Sequence, residues 1–94
     1  MRVRWLRKAL ANLNAEAAYI ARDNPDAAVR VVTAITTAVD RLAQYPALGR
    51  AGRVPGTREL VVPHSPYIIP YRVRGEAVEI LRVLHVARRW PEEF

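Results

Sequence analysis

The stretch TRELVVPHSPYIIPYRVRGEAVEILRVLHVARRWP, Thr57–Pro91, decides the fold. It divides into short strand-like runs at Thr57–Val62, Tyr67–Val73 and Val78–Val86, separated by Pro63-His64-Ser65-Pro66 and Arg74-Gly75-Glu76-Ala77. Connections this short join antiparallel neighbours, so the spacing predicts a meander of three strands. Pro70 cannot donate to a ladder, which predicts a bulge or an outward-facing position there. The polar slots fall largely to Arg58, Arg72, Arg74 and Arg82. A small sheet carrying guanidinium groups at intervals suits an anionic partner, phosphate or carboxylate.

Upstream, the periodicity changes twice. Arg2–Trp5 alternates charged and apolar residues, a short strand signal. Leu6, Leu10, Leu13, Ala17 and Ile20 then recur at helical spacing and predict one stripe facing the core. Asn24-Pro25-Asp26 reads as a helix restart: Asn24 caps, Pro25 takes the first turn and Asp26 complements the positive end of the dipole. A second stripe follows at Val31 or Val32, Ile35, Val39 and Leu42, ending before Pro46. The break between the stripes is short, so the two helices form an antiparallel hairpin. Tyr45–Gly56, with its prolines and glycines, reads as the longest loop.

The expected architecture is therefore α+β, in the order β-α-α-β-β-β, with a helical hairpin on one face of a small, mostly antiparallel sheet. The first strand should lie parallel to a strand of the meander. A chain of 94 residues supports one core, so residues 1–94 are read as a single domain. A 51% apolar and 26% charged composition is that of a globular protein. With no cysteine and two histidines, His64 and His85, neither a disulfide frame nor a zinc site is expected, and no cofactor or metal is implied. No run approaches a signal-peptide core or a membrane span, which predicts a cytoplasmic protein without membrane contact. Net charge is +6, and every basic residue except Lys8 is arginine.

One strand calls for more than the helices. In Val78–Val86, Ile80 and Leu84 are expected on one face with Arg82, and Leu81 and Val83 on the other with His85. A strand apolar on both faces is covered on both. A helical hairpin covers one, leaving Leu81 and Val83 to be closed by the C-terminal tail, the long loop or another protein.

The residues that can carry chemistry are Arg58, Arg72, Arg82, Arg88 and Arg89, with Glu59, His85, Tyr67 and Tyr71. Cleavage of RNA by its 2′-hydroxyl needs a base, an acid and cations around the phosphate. Glu59 supplies a base, His85 or a tyrosine an acid, and the arginines the charge. Each also has a structural reading: Glu59 as an ion pair with Arg58, His85 as a hydrogen-bonded core residue, the tyrosines as packing. Arg88-Arg89-Trp90 reads as a recognition surface, with adjacent guanidinium groups beside an exposed indole.

The phrases GTREL, YIIPYRV and ILRVLHVARRWP, with Trp5, the DNPDAA junction and YPALGR, resemble the RelE/ParE superfamily of bacterial toxins across nearly the whole chain. That resemblance implies the toxin of a type II toxin–antitoxin module for plasmid stabilisation or stress response. It also implies a hetero-oligomer with a cognate antitoxin, ParD-like or similar. Contacts to that antitoxin are expected at Leu81, Arg82, Val83 and Trp90. RelE-like members cleave mRNA on the ribosome, whereas ParE-like members poison DNA gyrase without hydrolysing anything. The WPEEF ending and the DNPDAA junction sit closer to ParE, and no lysine follows Lys8. The expectation is thus a ParE-like gyrase inhibitor that meets its target through Arg58, Arg72, Arg82, Arg88, Arg89 and Trp90, with no catalytic residues. The alternatives are a ribosome-dependent endoribonuclease using Glu59, Arg82 and His85, and an inactive relic that only binds its antitoxin.

Overall fold

Local sequence chemistry sets where the second helix starts and which face it buries. In the computed structural model, which describes residues 1–94, β1 (Arg2–Trp5) leads into α1 (Arg7–Ala21) and α2 (Pro25–Asp40), followed by a 3-10 turn at Arg41–Ala43. Asn24 caps α2, its side-chain oxygen accepting from the Ala27 amide at 3.0 Å. Ile35, Val39 and Leu42 are fully buried, as their spacing requires. The α1 stripe differs from expectation. Its buried residues are Ala9, Leu13 and Glu16, while Leu10 is 44% exposed. A small side chain at position 9 suits the core contact, so the helix is turned to put alanine there and Leu10 outside.

Five strands follow: β2 (Arg50–Ala51), β3 (Arg58–Val61), β4 (Tyr67–Arg74), β5 (Ala77–Ile80) and β6 (Leu84–His85). The sheet order is β1-β5-β4-β3-β2, with β6 also alongside β4. β1 runs parallel to β5, and the other pairs are antiparallel. The α+β class and the parallel first strand agree with the sequence reading. The long loop adds β2, too short to show any alternation. Gly75 closes the β4–β5 hairpin at φ 61, a conformation that favours glycine at the first position of a two-residue turn.

Leu60, Val62, Tyr67, Ile69, Tyr71, Val78, Ile80 and Val83 face the helices in one core with Ala9, Leu13, Ile35 and Leu42. The opposite face of the sheet carries the cross-strand neighbours Arg4, Glu79 and Arg72, then Pro70 beside Glu59, then Ile68 beside Leu84.

The predicted last strand is broken in two by a bulge. Tyr71 pairs with Ile80 and Ile68 with Leu84, so the chain between β5 and β6 holds one residue more than β4 opposes. Pro70 explains the place. Its carbonyl accepts from the Leu81 amide at 2.9 Å, but it has no amide hydrogen to return. Pro70 faces away from the helices, beside Glu59, but is fully buried there, and the bulge lies in the strand opposite it. The extra residue reverses the faces: Ile80 and Val83 enter the core, and Leu84 lies on the far side with Ile68. The expected grouping of Ile80 with Leu84 is thereby corrected.

Candidate functional site

Asn12, on α1, reaches the bulge that Pro70 induces. Its side-chain oxygen accepts from the Val83 amide at 3.1 Å and from Arg82 Nε at 2.8 Å. Arg82 is thus held against α1. Leu81 and Val83, expected at the antitoxin contact, are only 5% and 3% exposed and closed from within the chain, the bulge having turned Val83 into the core.

Beyond β6 the tail turns toward α1. Arg88 Nη1 donates to both oxygens of Glu16 at 2.6 Å and lies over the Tyr19 ring. The Glu16 contact raises the Arg88 pKa further, and burial together with the Glu16 charge pushes the Tyr67 phenol up. Tyr67 meets His85 edge to face, with ring centroids 5.6 Å apart. His85 is half-buried at the rim rather than a core residue, and its Nδ1 accepts from the Ala87 amide at 3.1 Å. Asn12, Glu16, Val83, His85, Arg88 and Trp90 are among the residues lining a cavity of about 210 Å³.

Trp90 is half-buried, not an exposed indole. Its Nε1 donates to the His85 carbonyl at 3.2 Å, and the Arg53 guanidinium covers its ring at 3.6 Å from the centroid. Arg89 is exposed and makes no hydrogen bond or ion pair.

Two buried carboxylates organise the arginines of the sheet. Glu79 is surrounded by Arg72 at 2.7 Å, Arg4 at 3.4 Å and Arg74 at 3.9 Å. The hydrogen bond from Arg72 holds its carboxyl below the ordinary range, reinforced by the charges of Arg72, Arg74 and Arg4. Glu59, 2% exposed, accepts from Arg50 Nη2 at 3.2 Å and from the Arg53 amide at 2.9 Å. Its partners are these loop arginines and not Arg58, as the sequence had suggested. Arg58 instead donates to the Gly49 carbonyl at 2.8 Å. Tyr71 completes the anchoring, accepting from the Gly49 amide at 2.7 Å and donating to the Pro46 carbonyl at 2.8 Å. Any side chain at Gly49 would start 2.6 Å from the Tyr71 ring, which makes glycine a requirement there.

The expected residues therefore separate. Glu59 lies on the outer face of the sheet, paired across strands with Pro70, whereas His85 pairs with Tyr67 on the helix-facing side. Arg82 is taken up by Asn12. Glu59, Arg82 and His85 do not converge on a common point. Of the expected target-binding set, Arg58, Arg72, Arg82 and Arg88 each have an internal acceptor, while Arg89 and Trp90 stand together at the tail. Arg53, Glu16 and Asn12 were missed. Arg53 sat in a loop without periodicity, and the polar Asn12 and Glu16 were passed over between apolar helix positions.

A helical hairpin on an arginine-studded sheet, with a folded-back basic-aromatic tail, defines a small basic α+β protein. The chain belongs to the ParE toxin family of type II toxin–antitoxin systems, whose family model matches residues 3–90. It is 56% identical to protein Y4kP of Sinorhizobium fredii over 91 residues, covering 97% of this chain and 94% of the relative. It is 42% identical to toxin RelE2 of Caulobacter vibrioides over 84 residues, covering 89% and 93% of the two chains. A solved chain of the chromosomal ParDE toxin–antitoxin system from P. aeruginosa superposes with a TM-score of 0.84 at 34% identity, covering 92% of this chain and 96% of that one. No helix is long and apolar enough to cross a membrane.

Proposed function

We propose that this ParE-family toxin inhibits DNA gyrase through its C-terminal tail and is neutralised by a cognate ParD-like antitoxin in a hetero-oligomer. The observation that carries the reading is the contrast between two regions. Glu59 and His85 lie on opposite faces of the sheet, so general acid and base have no shared reacting atom. Arg89 and Trp90, by contrast, present a free guanidinium beside an indole on a folded tail, a pairing common at binding hot spots. The solved relative from a ParDE system supports the antitoxin as partner, and a basic chain of net charge +6 suits an acidic one.

The test is plasmid supercoiling by purified gyrase with and without the protein, scoring inhibition and cleaved-complex accumulation. Linear, gyrase-linked DNA is the expected result. R89A/W90A should abolish it while circular dichroism stays native. Arg88 is the wrong residue for this purpose, since its removal leaves the buried Glu16 unpaired. The ribonuclease reading draws on the contact between His85 and Tyr67 near Arg88. Cleaved message on ribosomes, lost in H85A, together with untouched gyrase, would favour it. Normal growth on expression without antitoxin would favour an inactive relic.

A further inference from the structure

Glu59 is deeply buried, charged and outside any catalytic grouping, yet it touches both arginines of the long loop. It accepts from the Arg53 amide at 2.9 Å and lies 3.6 Å from Arg53 Nε, with Arg50 on its other oxygen. These contacts fix Arg53 at its backbone and at its guanidinium. The same guanidinium lies over Trp90, 3.6 Å from the ring centroid. Trp90 is itself tied to the His85 carbonyl, and Arg88 ties the tail to α1. The loop is equally fixed from beneath, by Tyr71 and Arg58 on Gly49. A chain of contacts thus runs from the sheet through Glu59 and Arg53 to the tail.

We infer that Glu59 and Arg53 are positioning residues for the tail. Through them the long loop and the Arg89–Trp90 tail form one preorganised binding surface, in which Arg53 clamps the indole. The physical reason is entropic. A short C-terminal tail is otherwise among the more mobile parts of a domain, and ordering it on binding weakens affinity. A cation seated on the indole by a buried carboxylate orders it beforehand. The functional half of this inference rests on the proposal that the tail meets the target; the structural half does not.

The test uses a W5F background, in which Trp90 is the only tryptophan. Acrylamide quenching of Trp90 should rise in R53A, in R53K, which keeps the charge but loses the flat guanidinium, and in E59Q, which keeps the volume but loses the charge. Arg53 is exposed at 59% of its side chain, so R53A and R53K leave the core intact. Unchanged quenching in all three variants overturns the coupling. In the gyrase assay, R53A and E59Q should each weaken inhibition about two- to fivefold, the range a surface cation–π contact supplies. Adding either change to W90A should weaken it no further, because both act through the indole. Additive losses would overturn the positioning role. If wild type leaves gyrase unaffected, the target reading fails, and the quenching result still decides whether loop and tail are coupled.

Discussion

Glu79 and Tyr71 show what single side chains do here beyond filling space. Glu79 has three guanidinium groups around it and a carboxyl held below the ordinary range, chiefly by the bond from Arg72. A depressed folded pKa contributes stability that is present above the unfolded value of about 4.3 and lost as pH falls through the folded one. Thermal unfolding followed downward from neutral pH should therefore show Tm falling below about pH 4. E79Q should lower Tm at neutral pH and flatten that fall; an identical acid limb would show that the cluster contributes nothing. Tyr71 is the opposite case, a neutral hydroxyl kept neutral by burial, which pushes its phenol up. Its raised folded pKa means stability present below about pH 10 and lost above it. Y71F removes the partner of the Gly49 amide and the Pro46 carbonyl. Urea unfolding should show a loss of about 1–3 kcal/mol. His85, Arg82 and Arg88 were nameable from the sequence, but their partners were not, since Arg82 and Arg88 bond to side chains at least 70 positions away.

At the scale of elements, the bulge between β5 and β6 is the decisive local event. Pro70 forces it, Asn12 satisfies it, and it determines which residues face the core. N12A leaves the Val83 amide without its acceptor and should cost about 1–3 kcal/mol in urea unfolding. N12D, which keeps an oxygen in place and adds a charge beside Arg82, should cost much less. Equal losses in the two variants would mean that packing, not the hydrogen bond, is what Asn12 supplies. The sequence reading expected a bulge or an outward-facing position at Pro70 itself, and unbroken alternation along the last strand put Leu84 on the wrong face. One inserted residue reverses every side chain beyond it, and period-2 counting carries no signal for the insertion. The start and buried face of helix α2 were legible because cap, proline and stripe agreed, although its last predicted position, Leu42, lies in the 3-10 turn beyond it. Helix α1 was not: it has no side-chain cap, and its alanines let the buried stripe fall on either of two neighbouring faces.

At the scale of the molecule, one core joins both helices to the sheet, and Ile35 lies at its centre with no exposed surface. I35A should cost about 2–5 kcal/mol by chemical denaturation, a large share of the roughly 5–15 kcal/mol available to a small domain. A loss under about 1 kcal/mol would place the centre of the core elsewhere. The arginines divide at this scale as well. Arg4, Arg72 and Arg74 gather on Glu79 on the outer face, while Arg82 and Arg88 bond to α1. The even spacing read along the strands thus becomes separate clusters, each tied to its own acceptor.

The sequence by itself determined the order of the helices and the main strands, the capped second helix, the hairpins of the sheet and the family. Each rests on residues close together in the chain, where periodicity, proline and glycine act. Only the tertiary structure decided that Glu59 and His85 stand on opposite faces, that Val83 is core rather than surface, and that Arg53 clamps Trp90. Those outcomes depend on contacts between distant positions and on a one-residue bulge, and neither leaves a local pattern to read.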